Sequence, residues 1–367
     1  MSLRRLRLVG AALAMSTAMV GAPAVVLSAP ASADGTNDPG DPGDPGTDPV
    51  VDPPTGTIQD IALSLATFNT AATQSTKRAI HDINLIISRA PDVLTLQEMG
   101  SPERRQLVRQ TLVDCETCVY DAYMPLPAVP GSTPILYRSD RFRLLSASTV
   151  QVTQDTYVGK AGAGPATIHA KYINWVQLRD LATGRIINVL NNHAVPSVQA
   201  RDGGPNRRNA KRLGIYSRHM QGLRALIEQI SSTTGGLMFV NGDLNVNFRR
   251  DKVLKPRIFP YYNLGLENMR ASFDLLGMPA NGTHTLKGGN GTRLIDYVYV
   301  GVRKAIKPVS EEVVMGAYSD HRPLLVRFTV STLKPVPDEP TDPTDPPTDP
   351  PTDPPTDSPT TNPTTAP

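Results

Sequence analysis

The sequence has few of the residues that cross-link or anchor a chain. Its 367 residues contain only two cysteines. A chain of this length can bury a sizeable hydrophobic core and is not a miniprotein held together by disulfides. After residue 33, no segment approaches the roughly 18 consecutive apolar residues that a membrane-spanning helix needs. The mature chain is therefore expected to be soluble and outside the membrane.

Lys and Arg are absent from two proline-rich segments, 34–54 and 335–367. These segments hold 6 and 13 prolines and 6 and 7 acidic residues, respectively. Such a composition cannot bury a core and predicts a disordered Asp/Pro/Gly-rich linker and a disordered Pro/Thr/Asp-rich tail. Residues 55–334 hold 34 basic and 21 acidic side chains, a formal charge of +13. We expect this middle part to be one monomeric domain with a polyanionic partner.

The first 33 residues predict a secretory signal peptide. Arginines come before an apolar run rich in Ala and Val, and small residues occupy the cleavage positions: Arg4, Arg5, Arg7 and Ala31-Ser32-Ala33. A retained membrane anchor is the alternative, but Pro23 and Pro30 within the run disfavour it. The mature protein is therefore expected to be secreted, with no stable membrane insertion after cleavage.

The two cysteines, Cys115 and Cys118, are separated by two residues. This spacing is compatible with a redox pair, half of a zinc site or a local disulfide. A redox role would place the pair at the start of a helix after a strand, and a zinc site would need two further ligands nearby. Export favours the structural disulfide.

Apolar patterns between the tails alternate between strand and helix periods, as is typical of a layered α/β domain. Ile61, Leu63 and Leu65 alternate with small residues and predict a strand. Helices are predicted where apolar residues recur at intervals of three and four: Ile80, Ile83 and Ile87, then Leu213, Tyr216, Met220, Leu223, Ile227 and Ile230. Further strands are predicted at 92–97, 135–137, 142–152, 172–178, 186–190, 237–240, 294–300 and 324–330.

Polar residues able to bind metals or move protons occur at the ends of these strands. They are Asn69, Glu98, His193, Asp243, Asn245, Asp320 and His321. Taken singly, each has an ordinary structural explanation, since Asn or Asp after a strand commonly begins a turn by bonding its own backbone. Strand ends at one edge of a sheet are, however, where α/β folds assemble their sites. The combination therefore favours a catalytic site.

Asp296 stands within the apolar run 294–299. Strand alternation places its carboxylate on the same face as Leu294 and Val298, where an unpaired charge is costly to bury. Asp296 therefore needs a partner, and a histidine would suit. A carboxylate that fixes the tautomer of an imidazole produces a general base.

Six short blocks, in this order, resemble the signature of the endonuclease/exonuclease/phosphatase superfamily. That superfamily includes pancreatic-type deoxyribonuclease, apurinic endonucleases, inositol polyphosphate phosphatases and bacterial sphingomyelinases. The blocks occupy residues 66–69, 96–98, 192–193, 241–245, 293–297 and 319–321. The resemblance implies an α/β fold, a four-layer sandwich of two mixed β-sheets packed face to face with helices outside. It also implies hydrolysis of phosphoester bonds with Mg²⁺, or with Mn²⁺ or Ca²⁺ in its place.

The resemblance further implies a division of roles between metal and water. Glu98 resembles the main metal carboxylate, with Asn69 beside it and Asp320 as a further ligand on the metal side. Oxygen ligands of this kind suit a hard cation such as Mg²⁺. Asp243 and Asn245 resemble the pair that orients the attacking water and the phosphate.

Two histidines are implied in proton transfer. His321, held by Asp296, resembles the general base, and His193 resembles the second histidine, which binds a phosphate oxygen or protonates the leaving group. Some of the nucleases place a glutamate near the segment that is 134–138 here, and this segment has no acidic residue. We therefore expect His193 to lack that carboxylate partner.

Basic residues interleaved with aromatic ones suit a nucleic acid, whose backbone is anionic and whose bases stack. The candidate substrate contacts are Arg207, Arg208 and Lys211 after the first histidine, Tyr261 after a second basic cluster, and His284 before the Asp296 strand. DNA or RNA is the favoured substrate. A phospholipid, as for a sphingomyelinase, or a small phosphate is the alternative, but no exposed apolar run suggests a membrane interface. An inactive binding module is disfavoured because every candidate catalytic residue is present.

Overall fold

The computed structural model describes residues 58–125, 132–159, 166–285 and 292–333. The predicted signal peptide at 1–33, the linker at 34–54 and the tail at 335–367 lie outside these residues. None of the described helices is both long enough and apolar enough to cross a membrane.

The described residues form strands and helices that alternate along the chain. The strands are β1 (Ile58–Asn69), β2 (Val93–Gln97), β3 (Tyr120–Tyr123), β4 (Ile135–Arg138), β5 (Phe142–Gln151), β6 (Thr156–Tyr157), β7 (Thr167–Ile168), β8 (Tyr172–Asp180), β9 (Ile186–His193), β10 (Leu237–Asp243), β11 (Met269–Ala271), β12 (Asp296–Gly301), β13 (Ile306–Val313) and β14 (Leu324–Leu333). The helices are α1 (Thr76–Ile87), α2 (Pro102–Val108), α3 (Ala210–Thr233), α4 (Phe248–Leu254), α5 (Pro260–Leu266) and α6 (Ser272–Leu275).

In the described ranges the strands make two six-stranded mixed sheets and a small two-stranded ribbon, β6 with β7. The first sheet has the order β13-β14-β1-β2-β4-β3, and the second has the order β11-β12-β10-β9-β8-β5. The pairs β1–β2 and β9–β10 are parallel. Parallel neighbours end at the same edge of a sheet, so the residues that follow them are brought together.

The two sheets pack face to face, with helices outside. Phe239 of the second sheet packs edge-on against Phe328 of the first, with ring centroids 5.4 Å apart. On the outer face of the first sheet, α1 and α2 bury Ile83 and Val108 against Phe68. Helix α3 covers the second sheet with the apolar face that the sequence predicts. The four-layer α/β sandwich is therefore confirmed.

One departure from the predicted elements is at the Asp296 strand. Asp296 is the first residue of β12, and the two residues before it, which the prediction placed in the strand, are buried without strand pairing. The reason is local: the Thr283 hydroxyl accepts the backbone N–H groups of Ile295 and Asp296, and the Asn247 side chain accepts that of Leu294. Side-chain acceptors thus replace a neighbouring strand in this segment.

A turn follows the helix at 102–108, whose last turns widen into a π-helix at Arg109–Val113. In this turn Cys115 and Cys118 form a disulfide. Neither cysteine begins a helix after a strand, so the pair has a structural setting and not the setting of a thioredoxin-type redox pair.

Candidate active site

Strand register brings polar residues of both sheets to one edge of the sandwich. In the second sheet, Asp243 lies opposite His193 on β9 and opposite Asp296 on β12. In the first sheet, Asn69 ends β1 beside the end of β2, and Glu98 directly follows β2. The candidate site therefore forms where the two sheets meet.

Asn69 joins the two sheets through its side chain. Its buried amide nitrogen donates hydrogen bonds to Oε1 of Glu98 at 3.2 Å and to Oδ2 of Asp243 at 3.0 Å. Its amide oxygen accepts the backbone N–H of Ala71 at 3.0 Å. One amide thus holds carboxylates from both sheets side by side, although its oxygen would have to turn around to bind a metal.

Glu98 is the more accessible of these two carboxylates, with a side chain 29% exposed. Its backbone has φ of 61°, an unusual value for glutamate that turns the chain away from the end of β2. Burial favours the neutral acid, but His193, the backbone N–H of Ala72 and Asn69 outweigh burial and lower the pKa of Glu98. Glu98 is therefore ionised at neutral pH and able to bind a cation.

Asp243 is almost fully buried, at 1% exposure, and lies at the centre of the site. Its Oδ1 accepts the backbone N–H of Asn245 at 2.8 Å. Its Oδ2 lies 3.5 Å from Nε2 of His193 and 3.8 Å from Nε2 of His321. Burial and the charge of Asp296 raise the pKa of Asp243, while the two histidines oppose this shift.

His321 and Asp296 form the buried pair that the sequence predicts. Nδ1 of His321 lies 2.9 and 3.0 Å from the two carboxylate oxygens of Asp296, and neither residue is more than 6% exposed. Burial would lower the pKa of His321, but Asp296 and Asp243 together raise it to about 10. The imidazolium form therefore dominates at neutral pH, which favours a proton donor and not the general base expected from the sequence.

His193 has the opposite tendency. Its Nε2 lies 3.9 Å from Oε1 of Glu98, in addition to its contact with Asp243. Burial and the nearby Lys171 lower the pKa of His193, and the two carboxylates only partly oppose them. The histidine thus contacts two carboxylates although the segment 134–138 supplies none. When two titratable groups have pKa values moved apart in this way, they can take the acid and the base roles.

Asp320 and His284 both lie close to His321. One ligand atom from each of Asp320, His284 and His321 lies within 4.8 Å of the others, and the same holds for Asp243, Asp296 and His321. The rings of His284 and His321 meet edge to face with centroids 4.8 Å apart. Burial, His321 and Arg293 lower the pKa of His284 to about 4, so His284 is neutral at pH 7.

No family model matches this sequence, and no curated protein matches it as a relative. Solved structures do match its fold. An endonuclease/exonuclease/phosphatase family protein from Bacteroides thetaiotaomicron has 15% identity and a TM-score of 0.53, covering 75% of this chain and 97% of that chain. The human Nocturnin catalytic domain with bound sulfate has 15% identity and a TM-score of 0.52, and the match covers 75% of this chain and 97% of that chain. D. rerio TDP2 complexed with single-strand DNA product has 15% identity and a TM-score of 0.52, and the match covers 73% of this chain and 98% of that chain.

The chain has the endonuclease/exonuclease/phosphatase fold. At 15% identity, the similarity to these proteins establishes the architecture alone. The roles of the site residues therefore have to be argued from the geometry of this chain.

Lys171 is a residue of the candidate site that the sequence patterns did not indicate. It directly precedes β8, which runs antiparallel to β9, so it lies near the end of β9. The charges of Asp243 and Glu98 attract Lys171, yet burial lowers its pKa. The available signal was its position, because the start of an antiparallel strand lies at the same edge as the end of its neighbour.

Asp82 is a second missed residue, and it supports the site from helix α1. Its buried carboxylate accepts the backbone N–H groups of Tyr318 and Ser319, both at 2.9 Å. The hydroxyl of Ser319 in turn donates to the backbone oxygen of Asn69 at 2.8 Å. This network fixes the segment that carries His321 against the end of β1.

The donor set of the candidate site fits a hard divalent cation. Four carboxylates belong to its two clusters or adjoin them: Glu98, Asp243, Asp296 and Asp320. Glu98 is ionised and partly exposed, and oxygen donors of this kind suit a cation that retains some of its water. Carboxylates gathered at this density also need positive charge, which a cation would supply in addition to Lys171.

The candidate substrate residues lie at different distances from this site. Arg207 and Arg208 form an exposed 3₁₀ turn before α3, and Lys211 donates a hydrogen bond to the backbone oxygen of Tyr157. Tyr261 packs against the core residue Phe248 and lines a separate cavity that shares no residue with the site. Of the five candidates, His284 alone contacts a predicted catalytic side chain within the described residues.

Proposed function

We propose that this protein is a secreted, Mg²⁺-dependent phosphodiesterase that acts on nucleic acid. One observation carries the proposal: Asn69 holds Glu98 and Asp243 side by side, with His193 and His321 on the Asp243 carboxylate. Hydrolysis of a phosphodiester requires an oriented water, positive charge for the phosphate oxygens and a proton for the leaving oxygen. These groups can meet all three needs.

The pKa directions support one division of the proton transfers between the two histidines. His193 is neutral and can accept a proton from the attacking water, which Asp243 and Asn245 orient. His321 is protonated and can donate its proton to the leaving oxygen when the P–O bond breaks. Glu98, with Asn69 and Asp320, would hold the cation, which supplies positive charge to the phosphate. Lys171 lies on the same side of the site, near Asp243 and Glu98, and burial lowers its pKa.

The preference for nucleic acid is supported by charge. Residues 55–334 carry a formal charge of +13, which attracts a polyanion over a long range. The similar structure of D. rerio TDP2 contains a single-strand DNA product. A small phosphate is the second candidate, since another similar structure is a Bacteroides thetaiotaomicron mannosyl-6-phosphatase, with 14% identity, a TM-score of 0.52, and coverage of 72% of this chain and 99% of that chain.

The substrate is tested by incubating the protein with plasmid DNA, RNA, sphingomyelin and a sugar phosphate in Mg²⁺ or EDTA. We expect cleavage of DNA or RNA that needs Mg²⁺ and weakens steeply as salt rises. Intact nucleic acids beside a hydrolysed sugar phosphate or lipid would reject the nuclease assignment. Secretion is tested separately, by measuring whether the exported protein begins after Ala33.

A further inference from the structure

A cleft of about 660 Å³ opens directly beside the candidate site. It shares Asn245 and His284 with the site: the backbone N–H of Asn245 binds Asp243, and the ring of His284 contacts His321. The other walls come from the loop after β9, the start of α4 and the segment before β12. The cleft is therefore a continuation of the site along one edge of the second sheet.

The charge of this cleft is entirely positive among its lining residues. Three arginines line it, Arg201, Arg250 and Arg293, and no carboxylate does. Within the described ranges, none of the three guanidinium groups forms an ion pair or donates a side-chain hydrogen bond. Three unpaired cations in one concave surface repel one another and favour a bound anion.

Several other polar side chains of the cleft are occupied in building its walls. Oε1 of Gln199 accepts the backbone N–H of Asn247 at 2.8 Å, and Oδ1 of Asn247 accepts the backbone N–H of Leu294 at 3.2 Å. Gly203, with φ of +95°, lies in the loop after β9. Because it has no Cβ, this loop can lie against Arg250; an added Cβ would come within 2.6 Å of the Arg250 side chain. The walls are thus fixed, and the three guanidinium groups are the positively charged donors that the cleft offers to a ligand.

We infer that Arg201, Arg250 and Arg293 bind a second phosphate of the substrate, adjacent to the phosphate that is hydrolysed. A guanidinium group can donate two parallel hydrogen bonds to the oxygens of one phosphate. The volume of the cleft is in the range of small-ligand sites. The inference rests on the proposed function, since the first phosphate occupies the catalytic site. A second phosphate has two sources, the next phosphodiester of a polynucleotide strand or a terminal phosphate group.

The test compares a substrate with one phosphate, the dinucleotide TpT, with substrates that carry a second one: its terminally phosphorylated forms pTpT and TpTp, and the trinucleotide TpTpT. The wild type should favour at least one of the longer substrates over TpT by about tenfold in kcat/KM. In the double variant Arg250→Gln, Arg293→Gln this advantage should fall to near one. Advantage for TpTpT alone identifies a strand phosphate, and advantage for pTpT or TpTp identifies a terminal one.

The matched control is the double variant Arg143→Gln, Arg179→Gln. These two exposed arginines lie opposite each other where β5 begins and β8 ends, at the edge away from Lys171. The control should keep the full advantage, and thermal unfolding should be similar for both double variants. An advantage that survives in the cleft variant, falls equally in the control or never exists in the wild type would overturn the inference.

Calorimetric binding of the same substrates in EDTA separates this inference from the proposed function. Without the cation there is no turnover, and the preference of the wild type for a second phosphate should remain. A protein that binds with this preference but hydrolyses none of the substrates in Mg²⁺ would contradict the proposed function and support the cleft. Hydrolysis in Mg²⁺ without any preference for a second phosphate would support the proposed function and contradict the role of the cleft.

Discussion

The two sheets contribute carboxylates of different character to one site. Glu98, from the first sheet, is 29% exposed, and its neighbours lower its pKa. Asp243, from the second sheet, is 1% exposed, and burial together with Asp296 raises its pKa. Two carboxylates therefore have different environments although they lie close together, since the side chain of Asn69 binds both. We infer that the carboxylate of the first sheet, Glu98, holds the cation and that the carboxylate of the second sheet, Asp243, serves the attacking water and the two histidines.

The largest expected effect comes from separating these two carboxylates. Glu98→Gln and Asp243→Asn should each lower kcat/KM on a phosphodiester by about 10³-fold, because the first weakens the cation site and the second disturbs the orientation of the attacking water. Only Glu98→Gln should also raise the Mg²⁺ concentration needed for half-maximal rate. The measurement is a Mg²⁺ titration of the rate for each variant, and equal shifts in both would remove the distinction between the sheets.

Asn69 should have the next largest effect because it connects the two carboxylates. In Asn69→Ala both carboxylates lose a hydrogen-bond donor, and we expect a loss of about 10²-fold in kcat with a folded protein. Asn84→Ala on the exposed face of α1 is the control and should leave the rate unchanged. A rate for Asn69→Ala within a few-fold of the wild type would show that the carboxylates are positioned without this amide.

The fold was largely predictable because periodic apolar residues mark its strands and helices. The helix face from Leu213 to Ile230 and the strand beginning at Phe142 are examples. The beginning of β12 at Asp296 was not predictable, since it depends on Thr283, whose hydroxyl replaces a strand partner. Contacts between segments distant in sequence are absent from a local pattern.

The site residues were predictable where a strand ended in a polar residue, and the predicted pair of His321 with Asp296 is present in the structure. Lys171 was missed because it begins a strand, and only the antiparallel pairing of β8 with β9 places it at the same edge. The protonation of His321 was also not predictable. It depends on Asp243 from a third strand in addition to its own partner.

Lys171 sharpens the comparison because its charge lies near carboxylates of both sheets. Lys171→Met should lower kcat/KM by about tenfold or more through the loss of a charge near the phosphate. Since Lys171 also lowers the pKa of His193, the pKa of that histidine should rise in the variant, as NMR titration can measure. Lys304→Met, at an exposed lysine between β12 and β13, is the control. An unchanged His193 titration would place Lys171 outside the site.

The smallest expected effect on activity comes from Asp251, a buried carboxylate outside the site. Its Oδ2 accepts the backbone N–H of Tyr261, its Oδ1 has no partner, and burial raises its pKa from 3.8 to about 7. The folded protein thus keeps a proton that the unfolded chain releases near pH 4. The contribution of Asp251 to the free energy of unfolding therefore falls as pH rises from about 4 to about 7 and is constant above that range.

Asp251→Asn keeps an acceptor for Tyr261 and removes the ionisation. At pH 8 the variant should be more stable than the wild type by roughly 2–4 kcal/mol, a difference that shrinks towards pH 4. Urea unfolding at several pH values measures this, with the exposed Asp114→Asn as a control. If the stability of the wild type rises between pH 5 and 7 relative to that of Asp251→Asn, the assigned protonation is contradicted.

The central claim is that carboxylates and histidines from both sheets form one metal-dependent phosphodiesterase site. Hydrolysis of bis(p-nitrophenyl) phosphate, a generic diester, tests it without any assumption about substrate recognition. The wild type should release p-nitrophenol in Mg²⁺ but not in EDTA, and the double variant His193→Ala, His321→Ala should be inactive in both. Equal rates for the wild type and the folded double variant in Mg²⁺ would contradict the claim.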